Sequence, residues 1–195
     1  MKHERELMEQ IRRYFERDLK MTDQDWKAFS SRLKRDEYSK KHLLLKAGQI
    51  EKHLSFVEKG IIRFYVPKAE NDLTFTFVFD DGFVSAYDSF LTQQPSGYNI
   101  QTLEPTILWR ISFDDLQTIY SETEAGNMIG RKASEDLFLK KSKRELSLLN
   151  DTPEQRYLKL FSEQPQLIKQ IPLKYIASYI GITPQALSRI RKRIS

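Results

Sequence analysis

The sequence has no cysteine and only three histidines in 195 residues. Without thiols the chain forms no disulfide, holds no thiolate-ligated iron–sulfur cluster and lacks a cysteine-type zinc site. His3, His42 and His53 form no His-x-His pair, which a cupin-type metal-dependent dioxygenase would need on neighbouring strands. His42 and His53 flank a predicted turn, so positions on the surface or at a strand edge are expected. We therefore expect no metal and no cofactor.

Long apolar runs and the common catalytic motifs are missing as well. No stretch approaches the ~20 apolar residues that span a bilayer, and residues 1–6 alternate in charge without an apolar signal segment. Gly-x-Ser-x-Gly, His-Glu-x-x-His, P-loop and Gly-x-Gly-x-x-Gly motifs do not occur. Hydrophobic residues make up 39% and charged residues 30% of the chain, enough for buried cores and a soluble surface. We expect a cytoplasmic protein that is not an enzyme and does not bind a membrane.

Acidic residues are missing from residues 164–195, which carry six lysines and arginines. This tail has a net charge of +6, and because the whole chain is +5, the remainder carries −1. An uneven charge of this kind suits a phosphate polymer, since neutralising phosphates releases their counterions. The tail is therefore expected to bind nucleic acid.

A helix and a tight turn are predicted at the start of this basic tail. Ile176, Ala177 and Ile180 share one face of a short helix. Ala177 is small, which lets a second helix cross closely. Gly181 follows as a turn residue for which a positive φ costs little. A second helix is therefore expected to fold back against the first.

The second helix is predicted to begin after Thr183, a good N-cap residue, with Pro184 at its first position. Leu187, Ile190 and Ile194 are expected to form its buried stripe. Two helices joined in this way are typical of a helix-turn-helix, whose second helix lies in the DNA major groove. The alternative is an ordinary helical hairpin with a solvated basic face, which the acid-free composition disfavours. The residues expected to contact DNA are Thr183, Gln185, Ala186, Ser188, Arg189, Arg191, Lys192 and Arg193.

A period of two replaces the helical period from His42 onwards. Short strands that each end in turn residues predict an antiparallel sandwich or barrel, whose mouth can hold a small ligand. Threonine alternates with phenylalanine in 73–79, so one face of that strand is expected to be buried. Residues 34–41 are predicted to form a charged loop. The predicted strands are 43–45, 54–57, 61–66, 73–79, 99–103 and 106–111.

Helices are predicted on both sides of the strands. Apolar residues at helical spacing predict one helix over residues 4–20. Capping boxes predict further helix starts after Thr22, Ser112 and Thr152. The residues expected to face inward in the last of these helices are Tyr157, Leu158 and Phe161.

One long helix is predicted over Glu122–Leu149. Seven of its positions follow coiled-coil spacing, and four of the seven are apolar. Packing against the chain's own barrel is one explanation. Pairing with a second copy is favoured, because Leu137 and Phe138 add more apolar surface than one small barrel face covers. The seam positions are Met128, Lys132, Glu135, Leu139, Ser142, Leu146 and Leu149.

A barrel, a long helix and a helix-turn-helix, in this order, resemble the Crp–Fnr family of bacterial transcriptional regulators. The resemblance covers nearly the whole chain and is carried by Lys46–Gln49, Leu54–Arg63 and Ile176–Arg189. It implies an α+β fold with a cyclic-nucleotide-binding-type antiparallel jelly-roll, dimerisation through the long helix and DNA recognition by the last helix. The implied domains are 1–120 for the effector domain, 121–150 for the dimerisation helix and 151–195 for the helix-turn-helix domain.

The resemblance also implies roles and partners. By position, Gln185 and Arg189 would face base edges, while Ser188 and the Arg191–Arg193 cluster would touch phosphates. The implied partners are double-stranded DNA, a second copy of the chain through Glu122–Leu149, RNA polymerase, and a small-molecule effector whose existence and identity stay open. A sensor of a small ligand or cyclic nucleotide that does not bind DNA is the alternative function, which the basic tail disfavours.

The resemblance breaks down at the family's phosphate-binding cassette. Nucleotide-binding members carry a Gly-Glu pair, whose glutamate holds the ribose 2′-OH, and an Arg-Ser/Thr pair, whose arginine holds the cyclic phosphate. Here Ser85-Ala86 stands at the first pair and Ser96 at the arginine. A buried phosphate without a cation is costly, so we expect no binding of cyclic AMP; Asp88 as a shifted acid is the weaker alternative. The candidate ligand-binding residues of this altered cassette are Ser85, Ala86, Tyr87, Ser96, Gly97 and Tyr98.

Overall fold

A computed structural model describes residues 11–13, 16 and 21–194, without the side chains of Glu124, Ala125, Ile129 and Lys132. The helix predicted over residues 4–20 falls mostly outside this described part. Of the helices that are described, none is both long and apolar enough to cross a membrane.

Eight strands form two four-stranded sheets with the strand orders β1-β8-β3-β6 and β2-β7-β4-β5. The pairs β1–β8, β3–β8, β3–β6 and β2–β7 are antiparallel. The predicted antiparallel jelly-roll is therefore confirmed. The strands are β1 Lys34–Tyr38, β2 Leu43–Leu45, β3 His53–Lys59, β4 Ile62–Val66, β5 Leu73–Val78, β6 Phe83–Val84, β7 Asn99–Thr102 and β8 Thr106–Ser112.

Strand β1 corrects the prediction of a charged loop at residues 34–41. It lies at the edge of its sheet and pairs with β8 from Lys34 opposite Arg110 to Tyr38 opposite Thr106. Its charges have partners on other strands of the sheet, β8 and β3: Asp36 Oδ2 lies 3.2 Å from Arg110 Nη1 in β8. Arg35 Nε lies 3.1 Å from Glu58 Oε2. Opposite charges across a sheet stabilise strand pairing, which the single-strand pattern did not reveal.

Eight helices complete the described part of the chain. They are α1 Asp23–Ser30, α2 Tyr87–Thr92, α3 Phe113–Glu122, α4 Glu124–Asn150, α5 Pro153–Glu163, α6 Pro165–Gln170, α7 Leu173–Tyr179 and α8 Pro184–Ile194.

The predicted helix starts are confirmed. Thr22 and Thr152 form reciprocal capping boxes with Asp25 and Gln155. The Ser112 hydroxyl accepts from the Asp115 amide at 3.1 Å, which caps α3. These local contacts satisfy amides that have no partner inside the first turn.

The long helix begins two residues later than predicted. Thr123 is extended, with φ −127° and ψ 141°, and it separates Glu122 from α4. The Thr123 hydroxyl accepts from the Gly126 amide at 3.0 Å and donates to the Ile119 carbonyl at 2.8 Å. One side chain therefore ends α3 and caps α4.

Packing divides the chain into two compact units. The first holds the described residues up to Phe64 together with Phe77–Glu135, and the second holds Tyr65–Thr76 together with the described residues from Asp136 onwards. The three-part division into 1–120, 121–150 and 151–195 stays a prediction. The main core cluster lies in the first unit and includes Phe29, Phe56, Phe90, Trp109 and Leu116.

Two expectations about burial are wrong, and both concern the second unit. In β5 only Thr74 is buried, Leu73 is exposed and Phe75–Val78 are half-buried, so neither face of the strand is buried throughout. The Thr74 amide donates to the hydroxyl of Ser178 in α7 at 2.8 Å, so α7 contacts the backbone of β5 at this residue. In α5, Tyr157 is buried as predicted but Leu158 and Phe161 are exposed. Each follows a buried residue by one position, a rotation of about 100° that turns it outward.

Candidate nucleic-acid interface

The turn between α7 and α8 is closed by backbone hydrogen bonds. Gly181 has φ +79°, as predicted. The Ile182 amide donates to the Ala177 carbonyl at 3.0 Å, and the Gly181 amide donates to the Ser178 carbonyl at 3.1 Å. This pair of bonds is a Schellman motif, in which glycine takes the left-handed position.

Two arginines from other helices reach the same turn. Arg144 in α4 donates from Nη2 to the Tyr179 carbonyl, and its guanidinium carbon lies 4.0 Å from the centre of the Tyr179 ring. Arg156 in α5 donates from Nε to the Ile180 carbonyl at 2.9 Å. Sequence reasoning missed both residues, because each lies more than 20 positions upstream, outside any motif.

Helix α8 begins as predicted. Pro184 is its first residue, and the Thr183 hydroxyl accepts from the Ala186 amide at 3.2 Å. Leu187 and Ile190 are buried, but Ile194 is exposed, which corrects the predicted stripe. Ile194 is the last residue of α8, one turn after the buried Ile190, so the buried stripe ends before the end of the helix.

The predicted DNA-contacting residues lie together on α8. All are exposed except Ala186, which is half-buried. Arg193 forms an ion pair with Glu154 in the first turn of α5, so one cation already has an anionic partner within the chain. The face is therefore basic and open, with its cationic charge partly compensated at one end.

Helix α7 is also braced at Ser178. The Ser178 hydroxyl donates to the Asp72 carbonyl at 2.5 Å and accepts from the Thr74 amide at 2.8 Å. Asp72 and Thr74 flank the first residue of β5. The Ser178 hydroxyl thus connects segment 65–76 to α7 through one donated and one accepted hydrogen bond.

The altered cassette lies around α2 in the first unit. Ala86 directly precedes α2 and is buried, and Ser85 donates from its hydroxyl to the His53 carbonyl at 3.0 Å. Ser96 is buried and exchanges backbone hydrogen bonds of 2.8 Å with Gly48 and Gln49. The sequence-predicted residues therefore line two segments that β2, β3 and their connection hold in place.

Tyr98 and Asp88 join these two segments. The Tyr98 hydroxyl donates to the Asp88 carboxylate, and burial together with this bond raises the pKa of Tyr98. Tyr87 is half-buried, with its hydroxyl 3.1 Å from that of Ser134 in α4, and Gly97 is exposed. Asp88 therefore bonds a tyrosine of the cassette itself.

Glu51 is a buried acid that the sequence did not single out. Its Oε1 accepts from the His53 amide at 3.0 Å, and its Oε2 accepts from the Ala86 amide at 3.4 Å. Burial raises the pKa of Glu51, while these amides and the charge of Arg110 act in the opposite direction. The Glu51 carboxylate thus lies beside Ala86 of the cassette and accepts a hydrogen bond from its amide.

The histidines have structural surroundings. His42 is exposed, as expected, and His53 is half-buried at the start of β3, with Nδ1 2.8 Å from Arg110 Nη2. Burial, followed by the charge of Arg110, lowers the pKa of His53. Across the described residues, no three His, Asp or Glu side chains group in a way that could hold a metal ion.

The apolar seam positions of α4 are exposed in the single chain. Met128 is 40%, Leu139 64%, Leu146 56% and Leu149 75% exposed. Glu135 is exposed and Ser142 is half-buried, while the side chain of Lys132 lies outside the described part.

Solved structures of known proteins have a similar fold. Residues 35–123 match the family described as the cyclic nucleotide-binding domain. No curated protein matches the sequence. Among solved structures, the chain is similar to a protein from Eubacterium rectale assigned to the Crp/Fnr family of transcriptional regulators, with a TM-score of 0.71 and 15% identity over 89% of this chain and 83% of that one.

Two further solved structures have the same fold. The Catabolite Activator Protein of Thermus thermophilus has a TM-score of 0.55 and 16% identity over 89% of this chain and 84% of its own. The c-di-GMP responsive global regulator CLP of Xanthomonas campestris has a TM-score of 0.61 and 16% identity over 89% of this chain and 91% of its own. Residues 35–123 thus match the cyclic nucleotide-binding domain family, and the chain has the fold seen in solved structures of Crp/Fnr transcriptional regulators.

Proposed function

We propose that the protein is a homodimeric, sequence-specific DNA-binding transcriptional regulator that acts in the cytoplasm, with RNA polymerase as its partner at promoters. The observation that carries the proposal is the outer face of α8. Gln185, Ser188 and Arg189 are exposed there, on a helix held from behind by buried Leu187 and Ile190. A capped helix with a polar, cationic outer face has the shape and charge that fit a major groove.

Base choice is assigned to two side chains of α8. Arginine donates two hydrogen bonds to guanine O6 and N7, and glutamine pairs with adenine N6 and N7. Arg189 and Gln185 would read these edges. Ser188, Arg191 and Lys192 would contact phosphates, which supply affinity without sequence information.

Pairing of two chains along α4 completes the proposal. Four large apolar side chains of the seam are 40–75% exposed in the single chain, and their burial against a second copy is favourable. A dimer places two α8 helices for half-sites roughly 34 Å apart, one turn of DNA.

The effector, if the barrel takes one, is not expected to be cyclic AMP. Ser96 supplies no cation, and Glu51 lies beside the Ala86 amide. An anion brought to the Ala86 amide would meet the Glu51 carboxyl group, and Ser96 offers it no guanidinium. Calorimetry with cyclic AMP and with c-di-GMP should show no heat of binding; micromolar binding of either would contradict this assignment.

Selection of bound duplexes from a random DNA pool tests the function. We expect enrichment of a two-fold symmetric site, with affinity that falls steeply with salt because phosphate contacts release counterions. Lys40→Ala, at an exposed lysine in the turn between β1 and β2, is the control for changes on α8. Failure to enrich any sequence at low salt would refute DNA binding, and an asymmetric single half-site would refute the dimer.

A further inference from the structure

We infer that Arg144 and Arg156 are positioning residues that hold helix α8 in a fixed orientation to the C-terminal half of α4. This inference rests on the proposed function, in which α8 reads DNA and α4 pairs the chains. It assigns the geometry of reading to two side chains that touch neither DNA nor the seam.

The carbonyls at the end of α7 accept hydrogen bonds from donors outside the helix. A helix leaves its last four carbonyls without partners inside the helix. The amides of Ile182 and Gly181 take the carbonyls of Ala177 and Ser178. The next two carbonyls, of Tyr179 and Ile180, accept from the guanidinium groups of Arg144 and Arg156. The turn that aims α8 is therefore completed by groups from α4 and α5.

Arg144 is committed to this place. Its guanidinium lies over the Tyr179 ring at 4.0 Å and is half-buried. Its Nε is buried without a hydrogen-bond partner in the described part of the chain. An unpaired buried N–H is unfavourable, so the carbonyl and the ring must together hold the side chain. A lysine could donate to the carbonyl, but it lacks the planar group that stacks.

Arg156 links three stretches of backbone. Its Nη1 donates to the Asp151 carbonyl at 2.5 Å and lies 3.5 Å from the Leu148 carbonyl. Its Nε donates to the Ile180 carbonyl at 2.9 Å. The end of α4, the connection to α5 and the end of α7 thus share one rigid fork of donors.

The position of Arg144 gives this attachment a function. It lies on α4 between the seam positions Leu139 and Leu146, and it points to the turn before α8. In a dimer, each seam helix is therefore tied to its own reading helix through a guanidinium. The separation of the two reading helices then depends on these arginines as well as on the seam.

Half-site spacing is the property to measure. The experiment uses the full-length protein and the site selected by the wild type, with the spacing between half-sites lengthened or shortened by one and two base pairs. Arg144→Met keeps most of the apolar stem but removes the donors. We expect the DNA affinity at the native spacing to fall by roughly ten-fold, as for removal of a charged hydrogen bond. We also expect the affinities for the different spacings to become more nearly equal. Lys40→Met, at an exposed lysine in the turn between β1 and β2, should behave as the wild type.

Two further measurements keep the outcome decisive. Arg144→Lys, which retains a donor, should restore part of the spacing preference, and it replaces Arg144→Met if that variant fails to fold. Hydrogen exchange at the Gly181 and Ile182 amides, well below the melting temperature, should be faster in Arg144→Met and Arg156→Met, while amides of β8 keep their wild-type rates.

Unchanged spacing preference in a folded Arg144→Met would overturn the inference, as would unchanged exchange at the turn. If the wild type selects no DNA, the proposed function fails, yet the exchange measurement still decides whether the arginines hold the turn.

Discussion

The outer face of α8 and the cassette around α2 treat charge in opposite ways. On α8, Arg189 and Lys192 are exposed to solvent, where they can neutralise a polyanion without being desolvated. In the cassette, Glu51 is buried and bonded to backbone amides, and Asp88 is bonded to Tyr98. The outer face of α8 thus leaves its cations exposed to solvent, whereas both acids of the cassette are engaged in hydrogen bonds.

Loss of the proposed dimer should have the largest effect on DNA affinity. Leu146→Glu places a charge on the exposed seam of α4, and we expect a monomer at micromolar concentration. Affinity for a two-half-site duplex should fall by roughly 100-fold or more, because the second contact is no longer intramolecular. Sedimentation and fluorescence anisotropy measure the two effects.

Leu148→Glu is the matched control for the seam, since Leu148 is exposed on α4 but lies off the seam. A Leu146→Glu protein that still sediments as a dimer would place the pairing surface elsewhere.

Removal of one base contact should give the next largest effect. Arg189→Ala is expected to cost about 1–3 kcal/mol in binding and to relax preference at one base pair in each half-site. Repeating the selection with the variant measures this, with Lys40→Ala as control. An unchanged base preference would mean that another residue reads that position.

The cassette can be tested through the pH dependence of stability. Because burial raises the pKa of Glu51 above its ordinary value of 4.5, the folded state binds its proton more tightly than the unfolded state. The contribution of Glu51 to the free energy of unfolding is therefore greatest below that ordinary value, and it falls as the pH rises through the raised pKa.

Glu51→Gln removes this titration, so the stability of the wild type relative to the variant should decrease as the pH rises through the raised pKa of Glu51. Urea unfolding from pH 4 to 8 measures the difference, and exposed Glu145→Gln is the control. A difference that is constant with pH would show that Glu51 titrates normally.

The smallest expected change concerns the ion pair at the end of α8. Glu154→Gln frees Arg193, and we expect DNA affinity to rise about two- to five-fold, in line with the small energies of exposed pairs. Glu163→Gln, which breaks the 2.9 Å pair with Lys143 instead, should leave DNA affinity unchanged. Weaker binding by Glu154→Gln would indicate that the acid orients Arg193 for the phosphate.

Features set by neighbouring residues were predictable from the sequence. Gly181 and Thr183 follow local rules for helix ends, and Thr22 and Thr152 follow the capping box; each lies where those rules place it. The prediction was wrong for β1, because its charges are stabilised by residues of the paired strand β8, which the local sequence does not show.

Features set by distant residues were not predictable. Arg144 lies 35 positions from the carbonyl that it binds, and Glu51 lies 35 positions from Ala86. Neither pair leaves a spacing signal, because chain topology alone brings the partners together. The outer face of α8 was therefore predictable, whereas the supports behind it and the acid in the cassette were not.

The brace at Ser178 has a consequence for how segment 65–76 can separate from α7. One hydroxyl serves as donor to the Asp72 carbonyl and as acceptor from the Thr74 amide, so rotating it away abolishes both interactions simultaneously. A change of the Ser178 rotamer therefore releases the backbone on both sides of Leu73 at once, so a single χ1 angle governs this attachment of segment 65–76 to α7.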